Sequence, residues 1–289
     1  MAKNPPSHCF NLDCAGRPLD LSLPQVMGIL NVTPDSFFDG GQFVTKDAAL
    51  RRAVTLAAQG AAIIDVGGES TRPGARRVSV AEEIDRVIPI IEAIHAELPV
   101  PISIDTSKPE VMSAAIAAGA GFINDVRALR EIGALDVAVK AKVPVCLMHM
   151  QGEPDSMQQR PAYQSVITEV KSFLAERLLA CMQAGIPRER LIIDPGLGFG
   201  KALAHNVALL RNLNDFVTLG QPLLVGVSRK SMIGALLNNQ ADQRLYGSLA
   251  LATLAVWQGA CLIRAHDVAA TVDAIRICAA IRDSAAVLN

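Results

Sequence analysis

Short apolar runs alternate with helical stretches along this chain. Eight such runs each lead into a polar or glycine-rich cluster, and they lie at 26–31, 62–67, 101–106, 122–126, 144–149, 191–195, 223–228 and 261–266. Stretches with apolar residues at helical spacing come between them, at 47–59, 80–97, 109–118, 163–184 and 242–258. Strands that alternate with helices pair in parallel, because each crossover returns the chain to the same edge of the sheet.

This order of elements predicts an α/β fold, either an open doubly wound sheet or a closed barrel. Eight units in a chain of 289 residues, without a linker or a charge run, favour a single-domain (β/α)8 TIM barrel over residues 25–283. Residues 1–24 precede the first run, and Cys14-Ala-Gly-Arg-Pro18 is typical of a turn between two short strands. We therefore expect an N-terminal β-hairpin that caps the N-terminal mouth of the barrel.

Composition and charge narrow the classes of function. Hydrophobic residues make up 51% of the chain and charged residues 19%, which is enough apolar surface for a large core. With 27 basic and 28 acidic residues the net charge is -1, so the chain lacks the field that gathers nucleic acid or anionic lipid. We expect neither nucleic acid nor a membrane as a partner.

The cysteines and the apolar segments bear on location. The six cysteines include no C-x-x-C pair, which predicts free thiols in a reducing cytoplasm and no disulfide or zinc site. The first 24 residues contain no apolar stretch long enough for a signal peptide. Residues 245–263 carry no charge and could span a membrane, but Gln258-Gly259 is typical of a helix end. We expect a buried helix and a strand there.

A polar side chain stands at or just after the end of every predicted strand. In a barrel these ends meet at one mouth, where catalytic residues belong. The residues are Asn31, Asp65, Glu69, Asp105, Asn124, Asp125, His149, Asp194, Ser228, Lys230, Arg264 and His266. Any one of them could cap a helix or make a structural hydrogen bond. A complete buried ring of them costs desolvation unless a ligand binds there.

The side-chain types indicate the chemistry of that ligand. Carboxylates and a carboxamide suit the N–H and C=O edges of a flat heterocycle, and they are Asp105, Asn124 and Asp194. Cations, an imidazole and hydroxyls suit phosphate or diphosphate, and they are Lys230, Arg264, His266, Ser70 and Thr71. A planar, nitrogen-rich ring attached to a phosphate is the ligand we expect.

Several motifs resemble those of the dihydropteroate synthase family of the folate pathway. The two long ones are Gly-Ile-Leu-Asn-Val-Thr-Pro-Asp-Ser-Phe at 28–37 and Asp-Val-Gly-Gly-Glu-Ser-Thr-Arg-Pro-Gly at 65–74. Shorter ones follow in the family's order at 103–106, 123–126, 147–150, 194–199, 226–231 and 263–267. The resemblance covers roughly residues 8–283.

The resemblance implies a transferase that joins 6-hydroxymethyl-7,8-dihydropterin diphosphate to 4-aminobenzoate and releases 7,8-dihydropteroate and pyrophosphate. It also implies Mg2+ as cofactor and a homodimer formed through the last helices. An SN1-like path suits the chemistry, because the cation left on the methylene carbon is conjugated with the pterin. No Ser or Cys nucleophile is needed.

The resemblance also implies roles for individual residues. The pterin ring would be held by Asp105, Asn124, Asp194 and Lys230, lined by Met148 and Phe199, and stacked by Arg264. The diphosphate would contact Thr71, Arg264 and His266, with Mg2+ bound through Asn31. The aminobenzoate would be enclosed by Phe37, Ser70, Arg72 and Pro73, with its carboxylate near Ser231. The expected catalytic residues are Lys230, Arg264 and Asp105.

One departure and two other functions are part of this picture. Phe38 stands where the family's first loop usually has a serine, and we expect unchanged activity, the alternative being altered lid closure or inhibitor response. A pterin-binding methyltransferase with a corrinoid partner and a catalytically silent pterin-binding paralogue are the alternative functions. The intact motifs at 70–73 and 228–230 favour the synthase.

Overall fold

The computed structural model describes residues 10–33, 46–70, 76–153, 157–159 and 161–282. Within them an antiparallel hairpin, β1 (Asn11–Cys14) and β2 (Arg17–Asp20), precedes a parallel sheet. The strands of that sheet are β3 (Gln25–Asn31), β4 (Ile63–Gly67), β5 (Ile102–Asp105), β6 (Phe122–Asp125), β7 (Val145–Met148), β8 (Leu191–Asp194), β9 (Leu224–Gly226) and β10 (Leu262–Ala265). The helices are α1 (Lys46–Ala58), α2 (Val80–Glu97), α3 (Pro109–Ala117), α4 (Ala134–Ala141), α5 (Val166–Gln183), α6 (Leu203–Arg211), α7 (Asn214–Val217), α8 (Ser231–Leu237), α9 (Leu245–Trp257) and α10 (Val268–Arg282).

The parallel sheet closes into a barrel. Its strands pair in the order β8-β7-β6-β5-β4-β3-β10-β9, and a parallel bridge between Ile193 and Leu223 joins the two ends. All five residues of β4 are buried, as expected for a strand with side chains inside the barrel on one face and helices on the other. The predicted (β/α)8 TIM barrel is confirmed, and the open doubly wound sheet is excluded.

Helix α2 shows how the sequence specifies the helical layer. The side chain of Ser79 accepts a hydrogen bond from the Glu82 backbone N–H at 3.2 Å, which satisfies one free donor of the first turn. Val87, Ile91 and Ile94 are buried and form the face that packs towards the strands. The helix begins and ends at the residues predicted from this pattern.

The N-terminal hairpin covers the N-terminal mouth of the barrel. Leu12, Cys14, Leu19 and Leu21 form one apolar cluster with the first residues of several strands, including Phe122. The hairpin is confirmed, while the division of the chain into 1–24 and 25–283 stays a prediction.

The structure corrects the expectation for residues 245–263 and confirms the one for the cysteines. Residues 245–263 form α9 and then β10 as expected, but Tyr246, Leu254 and Trp257 are exposed, so the expectation of a buried helix was wrong. In the part of the chain that the structure describes, no helix is both long and apolar enough to cross a bilayer. Free thiols are confirmed for the five described cysteines, Cys14, Cys146, Cys181, Cys261 and Cys278.

Candidate active site

The strand register brings the predicted polar residues to one level at the C-terminal mouth. Asp105 lies beside Asn124 where β5 pairs with β6, and Met148 lies beside Asp194 where β7 pairs with β8. Arg264 pairs with Gly226, and a Cβ there would lie 3.8 Å from the Arg264 Cβ and 3.9 Å from the Lys230 Nζ. The mouth is thus lined by side chains that are far apart in sequence.

Arg264 is clamped between two carboxylates. Its Nε donates to Asp65 Oδ2 at 2.6 Å, and its Nη2 donates to Asp105 Oδ2 at 2.7 Å. Asn124 Nδ2 donates to the same Asp65 oxygen at 3.1 Å. Asp65 is fully buried, and its Oδ1 has no hydrogen-bond partner among the described residues. Sequence reasoning placed Asp65 at a strand end but assigned it no role, whereas the structure makes it the anchor of two predicted site residues.

For both Asp105 and Arg264, burial and the neighbouring charges act on the pKa in opposite directions. Burial raises the pKa of Asp105 to about 7, although the neighbouring Arg264 acts to lower it. Burial alone would lower the pKa of Arg264, but Asp65 and Asp105 outweigh it and hold that pKa above its ordinary value. Arg264 therefore stays charged, and the mouth keeps a permanent cation beside a carboxyl group that titrates near neutral pH.

Asp105, Asn124, Asp194 and Lys230 line the mouth with polar side chains, and we call them the polar wall. Asp194 and Lys230 form its second half. Burial raises the pKa of Asp194, and Lys230 opposes that shift. Burial lowers the pKa of Lys230 to about 8, against the effect of Asp194. Asp194 Oδ1 accepts from the Gly196 backbone N–H at 2.7 Å, and Lys230 Nζ donates to the Leu197 carbonyl. Both side chains are thereby fixed to the loop that follows β8.

An apolar lining stands next to this wall. Met148 belongs to a buried cluster against which the Phe199 ring packs, and its other members are Val126, Met150 and Met157. Lys230 Nζ lies 4.7 Å from the centroid of the Phe199 ring, within cation–π distance. Polar edges and apolar faces therefore meet at one place, as a flat heterocycle requires.

His266 occupies the neighbouring sector. Its Nδ1 lies 3.0 Å from Ser228 Oγ, which also accepts from the His266 backbone N–H at 3.1 Å. Arg229 is turned outward and pairs with Asp267, with Nε 2.9 Å from Oδ2. Ser231 is the exposed first residue of α8, directly after Lys230.

Asn31 and Ser70 stand at the edges of the described residues. Asn31 ends β3, is half-buried, and pairs with Gly67 in the strand register. Ser70 is the last described residue before a gap at 71–75. The predicted site residues Phe37, Thr71, Arg72 and Pro73, together with Phe38, lie outside the described residues.

The base of the second loop is tied by charged groups. Glu69 accepts from the Val78 backbone N–H at 2.9 Å and from Lys108 Nζ at 2.7 Å, which joins the two ends of residues 70–77. Lys108 also donates to the fully buried Glu83 at 2.5 Å. Sequence reasoning missed both partners of Glu69. One signal was available, because Lys108 is the N-cap of α3, where the helix dipole disfavours a cation.

Comparisons with known proteins decide the family. The profile described as pterin binding enzyme matches residues 27–266. The dihydropteroate synthase of Escherichia coli strain K12 is 56% identical over 268 residues, covering 93% of this chain and 95% of that protein. The chain belongs to the dihydropteroate synthase family.

Solved structures of dihydropteroate synthases agree with this barrel. The Xanthomonas albilineans dihydropteroate synthase with 4-aminobenzoic acid is 53% identical, with a TM-score of 0.90, and the match covers 95% of this chain and 99% of that one. The enzyme from the same organism in complex with 7,8-dihydropteroate is 51% identical, with a TM-score of 0.87, and covers 94% and 98%. Membership of the dihydropteroate synthases confirms the predicted transferase and favours it over the alternative pterin-binding methyltransferase.

Proposed function

We propose that this chain condenses 6-hydroxymethyl-7,8-dihydropterin diphosphate with 4-aminobenzoate to give 7,8-dihydropteroate and pyrophosphate. The observation that carries the proposal is the clamp of Arg264 between Asp65 and Asp105, at the same mouth as Asp194 and Lys230. The relatives described with 4-aminobenzoic acid and with 7,8-dihydropteroate support these classes of substrate and product.

The side chains at the mouth match the pterin ring edge by edge. Carboxylate oxygens of Asp194 accept from ring N–H groups, and the Asn124 carboxamide both donates and accepts. The planar guanidinium of Arg264 offers a flat cation for stacking. Met148 and Phe199 supply apolar contacts to the ring. Since Asp65 and Asp105 hold Arg264 in place, it needs little reorganisation when the ring binds.

The reaction begins with cleavage of the bond between the methylene carbon and the bridging oxygen. The electron pair leaves with the diphosphate, and the positive charge on the methylene carbon is delocalised into the dihydropterin. Arg264 and His266 stabilise the charge that develops on the leaving group. The amine of 4-aminobenzoate then bonds to the methylene carbon and loses a proton. Burial raises the pKa of Cys146 well above its usual value, so this thiol stays protonated and is no nucleophile.

We propose that Mg2+ is held through Asn31, which ends β3 at the mouth of the barrel and is half-buried. The carboxamide oxygen of Asn31 is a hard ligand, and Mg2+ is commonly held by one or two protein oxygens together with substrate phosphates and water. When bound, Mg2+ supplies neutralisation of charge on the leaving diphosphate.

The 4-aminobenzoate site is proposed at the outer edge of the mouth. Ser231 follows Lys230 directly, so its hydroxyl is available for the carboxylate next to the polar wall. Ser70 is the first residue of the motif at 70–73, and we propose that Thr71, Arg72, Pro73 and Phe37 contribute to the same site. The hydrogen bonds from the Val78 N–H and the Lys108 ammonium to Glu69 support this assignment, because they fix the residues that flank this motif.

We also propose a homodimer formed through the last helices. Helices α9 and α10 carry large exposed apolar side chains, which are Tyr246, Leu254, Trp257, Ile277 and Ile281. A second copy of the chain is the partner that a homodimer places on them. The proposed location is the cytoplasm, where thiols such as the five free cysteines stay reduced.

The test of the function is turnover by the purified protein. It is incubated with pterin diphosphate, 4-aminobenzoate and Mg2+, and both products are measured, with Asp194→Ala as the control. We expect 7,8-dihydropteroate and pyrophosphate in equal amounts from the wild type and a large loss in the variant. Formation of neither product by the wild type would refute the proposal.

A further inference from the structure

A buried lysine lies beneath the loop that follows β8 and outside the residues assigned to the substrates. Lys201 is only 2% exposed, although lysine is among the residues least often buried. Its Nζ lies 2.9 Å from the carbonyl oxygens of Gly196 and Phe199 and 2.9 Å from His149 Nδ1. The His149 carbonyl is a fourth neighbour at 3.3 Å. Each of the three ammonium protons therefore has an acceptor.

His149 is fixed in one form by this contact. Burial lowers the pKa of Lys201 to about 7, and in its ammonium form the group only donates, so Nδ1 accepts and the ring proton lies on Nε2. Burial, reinforced by Lys201, lowers the pKa of His149 to about 3, which keeps the ring neutral. The His149 backbone N–H donates to the Asp194 carbonyl at 3.0 Å, and its ring meets the Phe173 ring edge-on at 4.9 Å between centroids. Lys201 thus joins the end of β7 to the loop that follows β8.

The loop at 195–200, whose carbonyl oxygens accept from Lys201, packs closely against the residue that follows β7. Gly196 and Gly200 have φ of +68° and +59°, and a Cβ on Gly196 would lie 1.9 Å from the His149 carbonyl oxygen. Asn206 accepts from the Gly198 N–H at 2.7 Å, and the Tyr163 hydroxyl donates to the Gly200 carbonyl at 2.8 Å. The loop therefore has one packed conformation, with the Lys201 ammonium at its centre.

The opposite side of this loop carries the groups proposed for the pterin ring. Asp194 is bonded to the Gly196 N–H, and Lys230 is bonded to the Leu197 carbonyl. Phe199 supplies a ring next to Lys230. Arg264 and His266, proposed for the diphosphate, are held instead by Asp65, Asp105 and Ser228. The hydrogen bonds of Lys201 go to His149, Gly196 and Phe199, and not to Arg264.

We propose that Lys201 is a positioning residue for pterin recognition, because it sets the loop at 195–200 and, through that loop, the Asp194 carboxylate, the Lys230 ammonium and the Phe199 ring. This inference rests on the proposed function. Loss of the ammonium releases two loop carbonyls and the His149 ring together. Ring recognition then weakens while the diphosphate sector keeps its geometry.

The test separates the two halves of the substrate. Calorimetric titrations use 6-hydroxymethylpterin as a probe of the ring and pyrophosphate with Mg2+ as a probe of the diphosphate sector. The proteins are the wild type, Lys201→Met, Lys201→Arg and, as a control, the exposed surface variant Lys140→Met. We expect ring affinity to fall at least about tenfold in Lys201→Met, to be partly restored in Lys201→Arg, and to stay unchanged in Lys140→Met. Pyrophosphate affinity should stay within about twofold in all of them.

Steady-state kinetics give a second readout. The KM for pterin diphosphate should rise in Lys201→Met. The inhibition constant of pyrophosphate, measured as a product inhibitor, should not change. Unchanged ring affinity in folded Lys201→Met would overturn the inference, and so would parallel loss of both ligands. If Lys201→Met does not fold, Lys201→Arg is judged by the same two affinities. Failure of the wild type to bind either probe would refute the proposed function instead.

Discussion

Replacing Asp65 by asparagine should slow the reaction without unfolding the barrel. Asp65 Oδ2 accepts from Arg264 Nε at 2.6 Å and from Asn124 at 3.1 Å, and an asparagine oxygen can take its place. Hydrogen bonds to charged groups contribute about 1.5–3 kcal/mol, and the bond from the charged Arg264 to a neutral oxygen lies at the lower end of that range, so it weakens by about 1–1.5 kcal/mol. Since about 1.4 kcal/mol equals a factor of ten, we expect a fall of roughly tenfold in kcat/KM for pterin diphosphate.

Stability should change much less than the rate. The asparagine NH2 group would take the place of Oδ1, which has no partner among the residues that the structure describes, so the number of unpartnered buried atoms there stays the same. Asp105 continues to bind Arg264 at 2.7 Å. We expect the free energy of unfolding to stay within about 1 kcal/mol of the wild type.

Asp125→Asn is the matched control. Asp125 is also fully buried at a strand end, but its carboxylate accepts from the Ser107 hydroxyl and from the backbone N–H groups of Arg127 and Leu129, and not from Arg264 or Asn124. Initial rates of pyrophosphate release and urea unfolding curves are measured for both variants. Asp125→Asn should lose stability and keep its kcat/KM. Wild-type kcat/KM in Asp65→Asn, or an equal loss of kcat/KM in both variants, would refute the reasoning.

Three further predictions concern the N-terminal hairpin, Lys230 at the mouth and the order of ligand binding. A Cβ at Gly121 would lie 2.3 Å from the Cys14 carbonyl oxygen, so Gly121→Ala should displace the hairpin. The free energy of unfolding in urea titrations should fall by about 1–3 kcal/mol. An unchanged unfolding midpoint would show that the hairpin is not packed there. Because burial lowers the pKa of Lys230 to about 8, its ammonium is present below that pH and lost above it, so pterin affinity should fall as pH rises through 8 in the wild type and not in Lys230→Met; parallel pH profiles would contradict this. In equilibrium dialysis, labelled 4-aminobenzoate should bind well only when pyrophosphate and Mg2+ are present, and equal binding without them would mean that its pocket is preformed.

Most of the barrel could be predicted because its signals are local. Each buried run forms a strand, and α2 matches its predicted bounds because Ser79 and the apolar spacing both lie in adjacent sequence. Helix α5 begins at Val166 and not at the predicted residue 163. The reason is tertiary, because the Tyr163 hydroxyl donates to the Gly200 carbonyl and holds that residue against a distant loop.

The residues at the mouth could be predicted from the sequence, but their partners could not. Asp105, Asn124, Asp194 and Arg264 could be found because parallel strands end at one mouth. The partnership of Arg264 with Asp65 spans 199 residues, and that of Lys201 with His149 spans 52. No periodicity reports such contacts, since only the closed barrel brings these groups together. A charged residue directly after the glycine-rich run 196–200 was the one available sign of Lys201.

The central claim is that the polar wall at the mouth holds the pterin ring, and a titration tests it most directly. A pterin analogue is titrated calorimetrically into the wild type and into Asp194→Ala, after melting curves have shown that both are folded. We predict one binding site per wild-type chain and a loss of at least about tenfold in the variant, because an acceptor contributing about 1–3 kcal/mol is removed from the ring's N–H edge. Equal affinity of the two proteins would contradict the account and place the pterin ring elsewhere.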